Sequence, residues 1–470
     1  MRGHVRIDDL HVSYPGRPAD ALSVILLDVQ PGAWLGVTGR TGAGKSTLAL
    51  AIAGFLPRVI PSAGVAGAVC IDEVDALMAG AGDLLGRVGI VFSTPTDQLS
   101  GSRPTVREEL AFGLENLAVP RADMDARIDA VMTQLGIGHL AERHPSTLSG
   151  GEQQRVAIAS IVVMTPSVLI LDEPTAELDP VGTEAVAALL VTMHASGTTI
   201  VCTSHDGTLL DRAGRVLRLD AGWIVDGPAP TPAIEALAWA SAEARRGPSV
   251  VIETVSFAYP GGAEAVRDVS LEIPSGESVA LVGPNGSGKT TLAKHLIGLL
   301  RPDAGRILLD DADISDVPVQ TLAQSVGFAF QDPGDQLFER TVEREVGFGP
   351  RQLGRSAAET AALVHAALAM TGLTAERLTN PYDLDRSIRK LVTLAGVLAM
   401  DPGLLVLDEP TTGQDPEGVE RVGRVVEAMQ HAGRTILAVT HDTAFAERWF
   451  DRIVVMESGR VVEDRRRPGA

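Results

Sequence analysis

Two nine-residue segments constrain this chain more than anything else in it. Gly39-Arg-Thr-Gly42-Ala-Gly44-Lys45-Ser46-Thr47 returns as Gly283-Pro-Asn-Gly286-Ser-Gly288-Lys289-Thr290-Thr291, with the two lysines 244 positions apart. A second pair, Leu169-Ile-Leu-Asp172-Glu173-Pro174-Thr175 and Leu405-Val-Leu-Asp408-Glu409-Pro410-Thr411, repeats at a spacing of 236. A period that long means a duplicated domain, because solenoid repeats recur every ~20–50 residues. A chain of 470 residues also exceeds what one core ordinarily holds. The reading is two homologous halves, 1–227 and 249–470, around a Pro/Ala-rich linker at 228–248. That linker carries a short helix-prone stretch and ends in Arg245-Arg246-Gly247-Pro248.

Within each half, short apolar runs alternate with longer helical patterns. The runs at 33–37, 88–92, 168–171 and 199–202 have counterparts at 278–282, 326–330, 404–407 and 435–439. Strand-helix alternation punctuated by glycine-rich loops predicts an α/β fold with a mainly parallel sheet in each half. Ligands then sit at the carboxyl ends of its strands.

Both glycine-rich segments fit G-x-x-x-x-G-K-[ST] between a predicted strand and a predicted helix, the pattern of a P-loop nucleotide-binding domain. Glycines let backbone N–H groups converge on phosphate oxygens, and a helix N-terminus favours the negative charge. Lys45 and Lys289 are placed to reach the β/γ-phosphates of ATP, and Ser46 and Thr290 to hold Mg²⁺. One such match can arise by chance in a glycine-rich chain; two at equivalent places in a repeat do not. Asp172 and Asp408 end apolar strands, where a carboxylate reaches Mg²⁺ directly or through water. Glu173 and Glu409 follow at once and face the other way, suited to orienting or deprotonating an attacking water. His205 and His441 each lie 33 residues after their aspartate, at the end of a further strand, in position to contact the γ-phosphate. Tyr14 and Tyr259, two of only three tyrosines, precede their lysines by 31 and 30 residues, and a ring there suits stacking on adenine.

Composition narrows the partners. A formal charge of -20 argues against nucleic acid, which selects a basic face. Cys70 and Cys202 match no metal spacing and sit among apolar residues, so they read as inert buried thiols of a reduced, cytosolic protein. The first ten residues lack the apolar run of a signal peptide. The most apolar stretch, 157–171, is broken by Ser160, Thr165, Pro166 and Ser167 and falls short of the ~20 residues that span a bilayer. The expectation is a chain that is soluble, or peripheral to a membrane.

The segment Leu148-Ser149-Gly150-Gly151-Glu152-Gln153-Gln154-Arg155 completes the pattern. With it the chain resembles the ATP-binding-cassette (ABC) ATPases over nearly all of its length. That resemblance implies an antiparallel β subdomain and a helical subdomain beside each mainly parallel sheet. It also implies two domains that pair head to tail, the Ser149, Gly150 and Gly151 signature of one closing over ATP on the other, with Asp179 and Asp415 linking the sites. Ser149 and two glycines at a helix start offer donors and close approach to a γ-phosphate.

The halves are unequal. Leu384 aligns with Leu148, so the second signature reads Leu384-Asp385-Arg386-Ser387-Ile388-Arg389, without either glycine. A carboxylate such as Asp385 within ~4 Å of a γ-phosphate costs roughly 4 kcal/mol at an effective dielectric near 20; Arg386 or Arg389 could offset that, but the donor geometry is lost either way. The family also carries a Mg²⁺-contacting, coupling glutamine after the strand that here ends at Phe330, aligned with Phe92 in the first half. Gln331 supplies it in the second half and Ser93 replaces it in the first; Gln98 and Gln336, each five residues on, fix the alignment. Under head-to-tail capping both losses fall on the Lys45 site. The expectation is one competent site (Lys289, Glu409, Ser149) and one that turns ATP over slowly (Lys45, Asp385).

Two pairs of segments point further. Thr94-Pro-Thr-Asp-Gln98-Leu and Gln331-Asp-Pro-Gly-Asp-Gln336-Leu-Phe resemble the extended Q-loop of energy-coupling factor (ECF) importers. So do the downstream runs Glu108-Glu-Leu-Ala-Phe-Gly113 and Glu343-Arg-Glu-Val-Gly-Phe-Gly-Pro350. The resemblance implies import of a vitamin, a vitamin precursor or a transition-metal ion. It implies work at the cytoplasmic face of the cell membrane with an integral coupling subunit and a substrate-binding membrane subunit, without nucleic acid. The helices after each Q-loop would receive the coupling subunit. Two alternatives stay open: the tandem ATPase of a sugar-type ABC importer, and a ribosome-associated translation factor, which typically has a longer charged linker and two intact signatures.

Overall fold

The computed structural model describes residues 2–15, 19–226, 239, 246–262 and 264–467. By internal contacts the chain divides into two compact units, Met1–Pro230 and Thr231–Ala470. The helix-prone part of the linker lies outside the described residues.

Each unit contains the same two sheets. In the first, a six-stranded sheet runs Trp223–Val225, Arg215–Asp220, Trp34–Thr38, Thr199–Thr203, Val168–Asp172, Val88–Val91. All neighbours are parallel except the edge strand Trp223–Val225. In the second, the order Arg460–Arg466, Arg452–Glu457, Ser278–Val282, Thr435–Thr440, Leu404–Asp408, Val326–Ala329 repeats it. The central strands are buried along their whole length, because helices cover both faces of a parallel sheet. The strands expected from the apolar runs therefore form, with ends displaced by one residue at most.

Beside each central sheet lies a four-stranded antiparallel sheet. It is built from Leu22–Val29, Val5–Ser13, Gly64–Ile71 and Val74–Asp75 in the first unit, and from Glu264–Ile273, Val250–Ala258, Ala304–Leu309 and Ala312–Asp313 in the second. Here burial alternates along the strands, as one covered face requires. That alternation corrects one expectation. Cys202, in a central strand, is fully buried and its thiol is pushed well up by desolvation, but Cys70 is only partly buried. It lies between Val69 and Ile71, which face the core, so its own side chain falls on the other face.

Helices fill the stretch between the glutamine-bearing loop and the signature. They are Val106–Asn116 and Arg121–Gln134 in the first unit, and Val342–Val346, Phe348–Gln352 and Ala357–Thr371 in the second. In the second unit Trp239 packs into the core and its Nε1 donates to Asp401 at 3.0 Å; Asp401 also pairs with the buried Arg434 at 2.7 Å. Among the described residues no helix is long and apolar enough to cross a membrane.

Two candidate nucleotide sites

In both units the glycine-rich loop joins the central strand to a helix beginning at its lysine, Lys45–Ile52 and Lys289–His295. Gly39 and Gly283 need to be glycine: at φ of 147° and 151°, a Cβ would stand 2.2 Å from the Leu219 carbonyl oxygen and 2.1 Å from that of Met456. Gly44 and Gly288 enter the helices in the left-handed region, with no side chain capping the first turn. Those first-turn N–H groups are thus left for an anion. Lys45 Nζ donates to Gly39 O at 2.7 Å, and Lys289 Nζ to Gly283 O and Pro284 O at 2.8 and 3.0 Å. The hydroxyls of Tyr14 and Tyr259 lie 3.3 Å from those of Thr47 and Thr291, which fixes each ring beside its loop. The Tyr259 ring stays 43% exposed, open to a flat partner.

Asp172 and Asp408 end central strands, 6% and 3% exposed. The next residues, Glu173 and Glu409, take φ of 47° and 49°, a left-handed turn that costs a non-glycine residue roughly 1–2 kcal/mol. That turn swings their carboxylates off the strand toward the histidine that follows the neighbouring strand. The His205 and His441 N–H groups point at Glu173 and Glu409 Oε2, at 3.3 and 3.4 Å.

Beyond this shared frame the sites differ. Thr203 pairs across the sheet with Asp172 and its hydroxyl donates to Asp172 Oδ1 at 2.6 Å. The residue paired with Asp408 is Val439, which has no hydroxyl, and Asp408 Oδ1 instead accepts from Thr290 at 2.8 Å. The loop hydroxyl and the strand carboxylate are thereby already together in the second unit, while Ser46 is exposed. His205 Nε2 lies 2.9 Å from Lys45 Nζ and 3.3 Å from Glu173 Oε1, and Lys45 approaches the same oxygen at 3.7 Å. His441 instead turns Nδ1 to Glu409 Oε2 at 2.9 Å.

The charge states diverge accordingly. Burial pushes Glu173 up to about 7, against the pull of Lys45 and with a push from Asp172. Burial acts on Glu409 too, but His441, Lys289 and Lys390 outweigh it and hold this carboxyl below its ordinary value. His441 is raised, burial being overcome by Glu409. Asp408 is pushed up to about 6 by burial, opposed by the Thr290 hydrogen bond.

Ser149 is exposed at the start of the helix Gly150–Val162, its N–H and hydroxyl both donating to Glu152 Oε2 at 2.8 and 2.9 Å. Gly150 and Gly151 form the first turn. Asp385 occupies the corresponding position before Arg386–Ala399. Arg389 donates to the carbonyls of Leu384 and Tyr382 at 2.8 and 2.7 Å, and Arg386 pairs with Asp332 at 3.3 Å. Both guanidiniums are therefore engaged within their own unit. Gln331 is exposed just past the strand Val326–Ala329, and Ser93 stands at the matching place. Gln98 and Gln336 accept from the N–H of Phe92 and Phe330 at 3.1 and 3.4 Å. Asp179 and Asp415 cap helices, accepting from Gly182 and Gly418 N–H at 2.8 and 2.7 Å.

Among the described residues no cluster of three or more His, Cys, Asp or Glu could hold a metal. A hydroxyl and one carboxylate 2.8 Å apart, with burial raising that carboxylate, do fit Mg²⁺, which keeps several waters and takes its remaining oxygens from phosphates. Sequence reasoning gave no role to Thr203, buried Lys390 or Gln414, and it singled out the runs holding Glu109 and Glu345 without marking those two carboxylates as buried. Lys390 had a visible signal: a lysine directly before the mostly apolar helical run 391–399, where the first half has Gln154.

The family model described as ABC transporter matches residues 22–176 and 266–412. Two relatives named "Putative ABC transporter ATP-binding protein" align with 98% of this chain. One, from Methanosarcina mazei, is 36% identical over 94% of its own length, and one from Methanosarcina acetivorans is 34% identical over 85%. A solved structure titled as cbiO1 from Clostridium perfringens, part of the ABC transporter complex cbiONQ, is 36% identical over 46% of this chain and 87% of that one, with a TM-score of 0.43. Two matched cassettes in one polypeptide, each with its phosphate loop and acidic strand end, place this chain in the ABC transporter family as a tandem ATP-binding protein with ATPase domains.

Proposed function

We propose that the chain is the fused ATPase subunit of an ECF-type importer for a vitamin, a vitamin precursor or a transition-metal ion. It works with Mg²⁺ at the cytoplasmic face of the membrane, beside an integral coupling subunit and a substrate-binding membrane subunit. The observation that supports this most is the build of the loop after Gln98 and Gln336. In both units a buried glutamate from the next helix fastens it: Glu109 accepts from Ser100 N–H and hydroxyl at 2.7 Å each, and Glu345 from Phe338 and Glu339 N–H at 2.9 and 2.6 Å. The motif likened to the ECF importers is thus an ordered platform leading into helices, suited to carrying force from the nucleotide to a membrane partner.

In this reading the halves pair head to tail and hydrolysis belongs to the Lys289 site. Lys289 and the first-turn N–H groups bind the phosphates, Thr290, Asp408 and Gln331 hold Mg²⁺, and Tyr259 stacks on the base. When bound, Mg²⁺ supplies charge neutralisation at the transferred phosphoryl group. Glu409, kept ionised, takes the proton of the attacking water, and His441 fixes the carboxylate and faces the γ-phosphate. Ser149, Gly150 and Gly151 supply the cap. The Lys45 site, with Tyr14, Gly39, Gly42, Gly44, Ser46, Thr47, Asp172, Glu173 and His205, holds ATP as a clamp.

Co-expression with candidate membrane proteins tests the assignment. The expected result is co-purification with a polytopic coupling protein and a small hydrophobic subunit, with ATPase activity rising on assembly. Co-sedimentation with ribosomes, or pairing with a permease that needs no small hydrophobic subunit, would overturn it.

A further inference from the structure

The helix that lost the signature glycines has not become idle. Lys390, five residues past Asp385 and 8% exposed, sends its ammonium to the carbonyl oxygens of Glu409 and Thr412, each at 2.9 Å. Gln414, also 8% exposed, reaches back from the same turn and donates to Ser387 O at 2.8 Å. Within the turn, the Thr412 N–H and hydroxyl point at Glu409 O and Glu409 Oε2, each at 3.4 Å. The turn carrying the left-handed Glu409 is thus tied at both ends to Arg386–Ala399.

Of these ties only the backbone one has a counterpart in the first half, Ala176 N–H to Glu173 O at 3.3 Å; the side-chain ties have none. At the spacing of 236 that relates the two aspartates, Lys390 corresponds to Gln154, Thr412 to Ala176 and Gln414 to Leu178. Gln154 reaches elsewhere, to Phe92 O at 3.4 Å, and Leu178 is packed in the apolar core. The Glu173 turn is held from the opposite side: Glu173 N–H donates to both the carbonyl and the hydroxyl of Thr203, at 3.0 and 3.2 Å. Val439 offers Glu409 N–H its carbonyl, at 2.8 Å, and no hydroxyl. The hydroxyl support lost at Val439 and the lysine support gained at Lys390 fall on the same turn. A lysine offers three donors and is rarely buried unless they are used, so two carbonyl contacts at 2.9 Å mark a built interaction.

We propose that Lys390, assisted by Gln414, is a positioning residue for ATP hydrolysis at the Lys289 site. The degenerate signature helix acts as a latch that holds the Glu409 turn of its own half in its reactive conformation. This rests on the reading of Glu409 as the catalytic carboxylate. A base displaced by about 1 Å forfeits on the order of 10²-fold in rate, so removing one of the supports of a turn should cost part of that.

Steady-state ATPase of the full chain tests it with Lys390→Met, Gln414→Leu and Glu409→Gln side by side, each checked by thermal unfolding. Lys390→Met is expected to lower kcat about 10-fold and Gln414→Leu about 3-fold, with KM for ATP within about twofold of the parent, because neither residue lies at the phosphate loop. Parent-like kcat in a folded Lys390→Met protein would overturn the latch, as would an equal rise in KM without loss of kcat. If Lys390→Met fails to fold, Gln414→Leu decides: reduced kcat supports the latch and parent-like kcat overturns it. Undiminished turnover in Glu409→Gln would instead remove the site reading on which the latch depends.

Discussion

In the first half the strand-end aspartate leans on its sheet; in the second it leans on its phosphate loop. Thr203 holds Asp172 from the neighbouring strand, whereas Thr290 holds Asp408 from the residue after the loop lysine. The contrast accompanies two differences, threonine at 203 against valine at 439 and Ser46 against Thr290. Two groups suited to Mg²⁺ are together in one unit and apart in the other. The glutamates show the same contrast. Glu173 lies beside Lys45 and His205, yet burial pushes it to about 7; Glu409 has His441 beside it and is held below its ordinary value. Identical strand order therefore carries two different electrostatic states. Duplication thus preserves the scaffold while single side chains change the surroundings of the strand-end carboxylates.

The comparison can be broken with paired substitutions. The largest effect is expected at the loop lysines. Lys289→Ala should cut turnover on the order of 100-fold or more, while Lys45→Ala mainly weakens ATP retention, read by nucleotide binding on the purified chain. The signature comes next. Ser149→Asp copies the second half's residue into the first and should slow turnover about 10- to 100-fold, through a carboxylate set against phosphate. Asp385→Ser should change turnover about twofold at most, since the glycines are still missing; a restored second site would appear instead as a marked rise.

The smallest effect on activity but a clear one on stability is expected at Arg434, 1% exposed and paired with Asp401. The matching residues of the first half are Thr198 and Thr165. Arg434→Leu leaves the partly buried Asp401 its Trp239 hydrogen bond but not the Arg434 guanidinium, and should cost about 1.5–3 kcal/mol, seen as early unfolding of the second half. Thr198→Val should change stability by less than about 1 kcal/mol.

Much of this was legible in the sequence because it depends on local pattern. Apolar runs gave the buried strands, and glycines at fixed spacing gave the loops, since only glycine tolerates the approach of the Leu219 and Met456 carbonyls. Asp385 was visible by counting from Asp408. The rest depends on contacts between segments far apart in the chain. That Thr203 faces Asp172, or that Lys390 reaches Glu409 and Thr412, follows from sheet register and helix rotation, which no local pattern encodes. Cys70 was misplaced for a related reason: its apolar neighbours suggested burial, but alternate residues of a one-sided sheet face outward.

The central claim is that one half hydrolyses ATP and the other clamps it. Single-turnover and steady-state ATPase of Glu409→Gln and Glu173→Gln, each in the full chain with Mg²⁺, tests it most directly. Loss of the general base should lower turnover on the order of 10²–10³-fold in Glu409→Gln. Glu173→Gln should stay within about threefold of the parent and still bind two nucleotides. Equal loss in both variants would contradict the account.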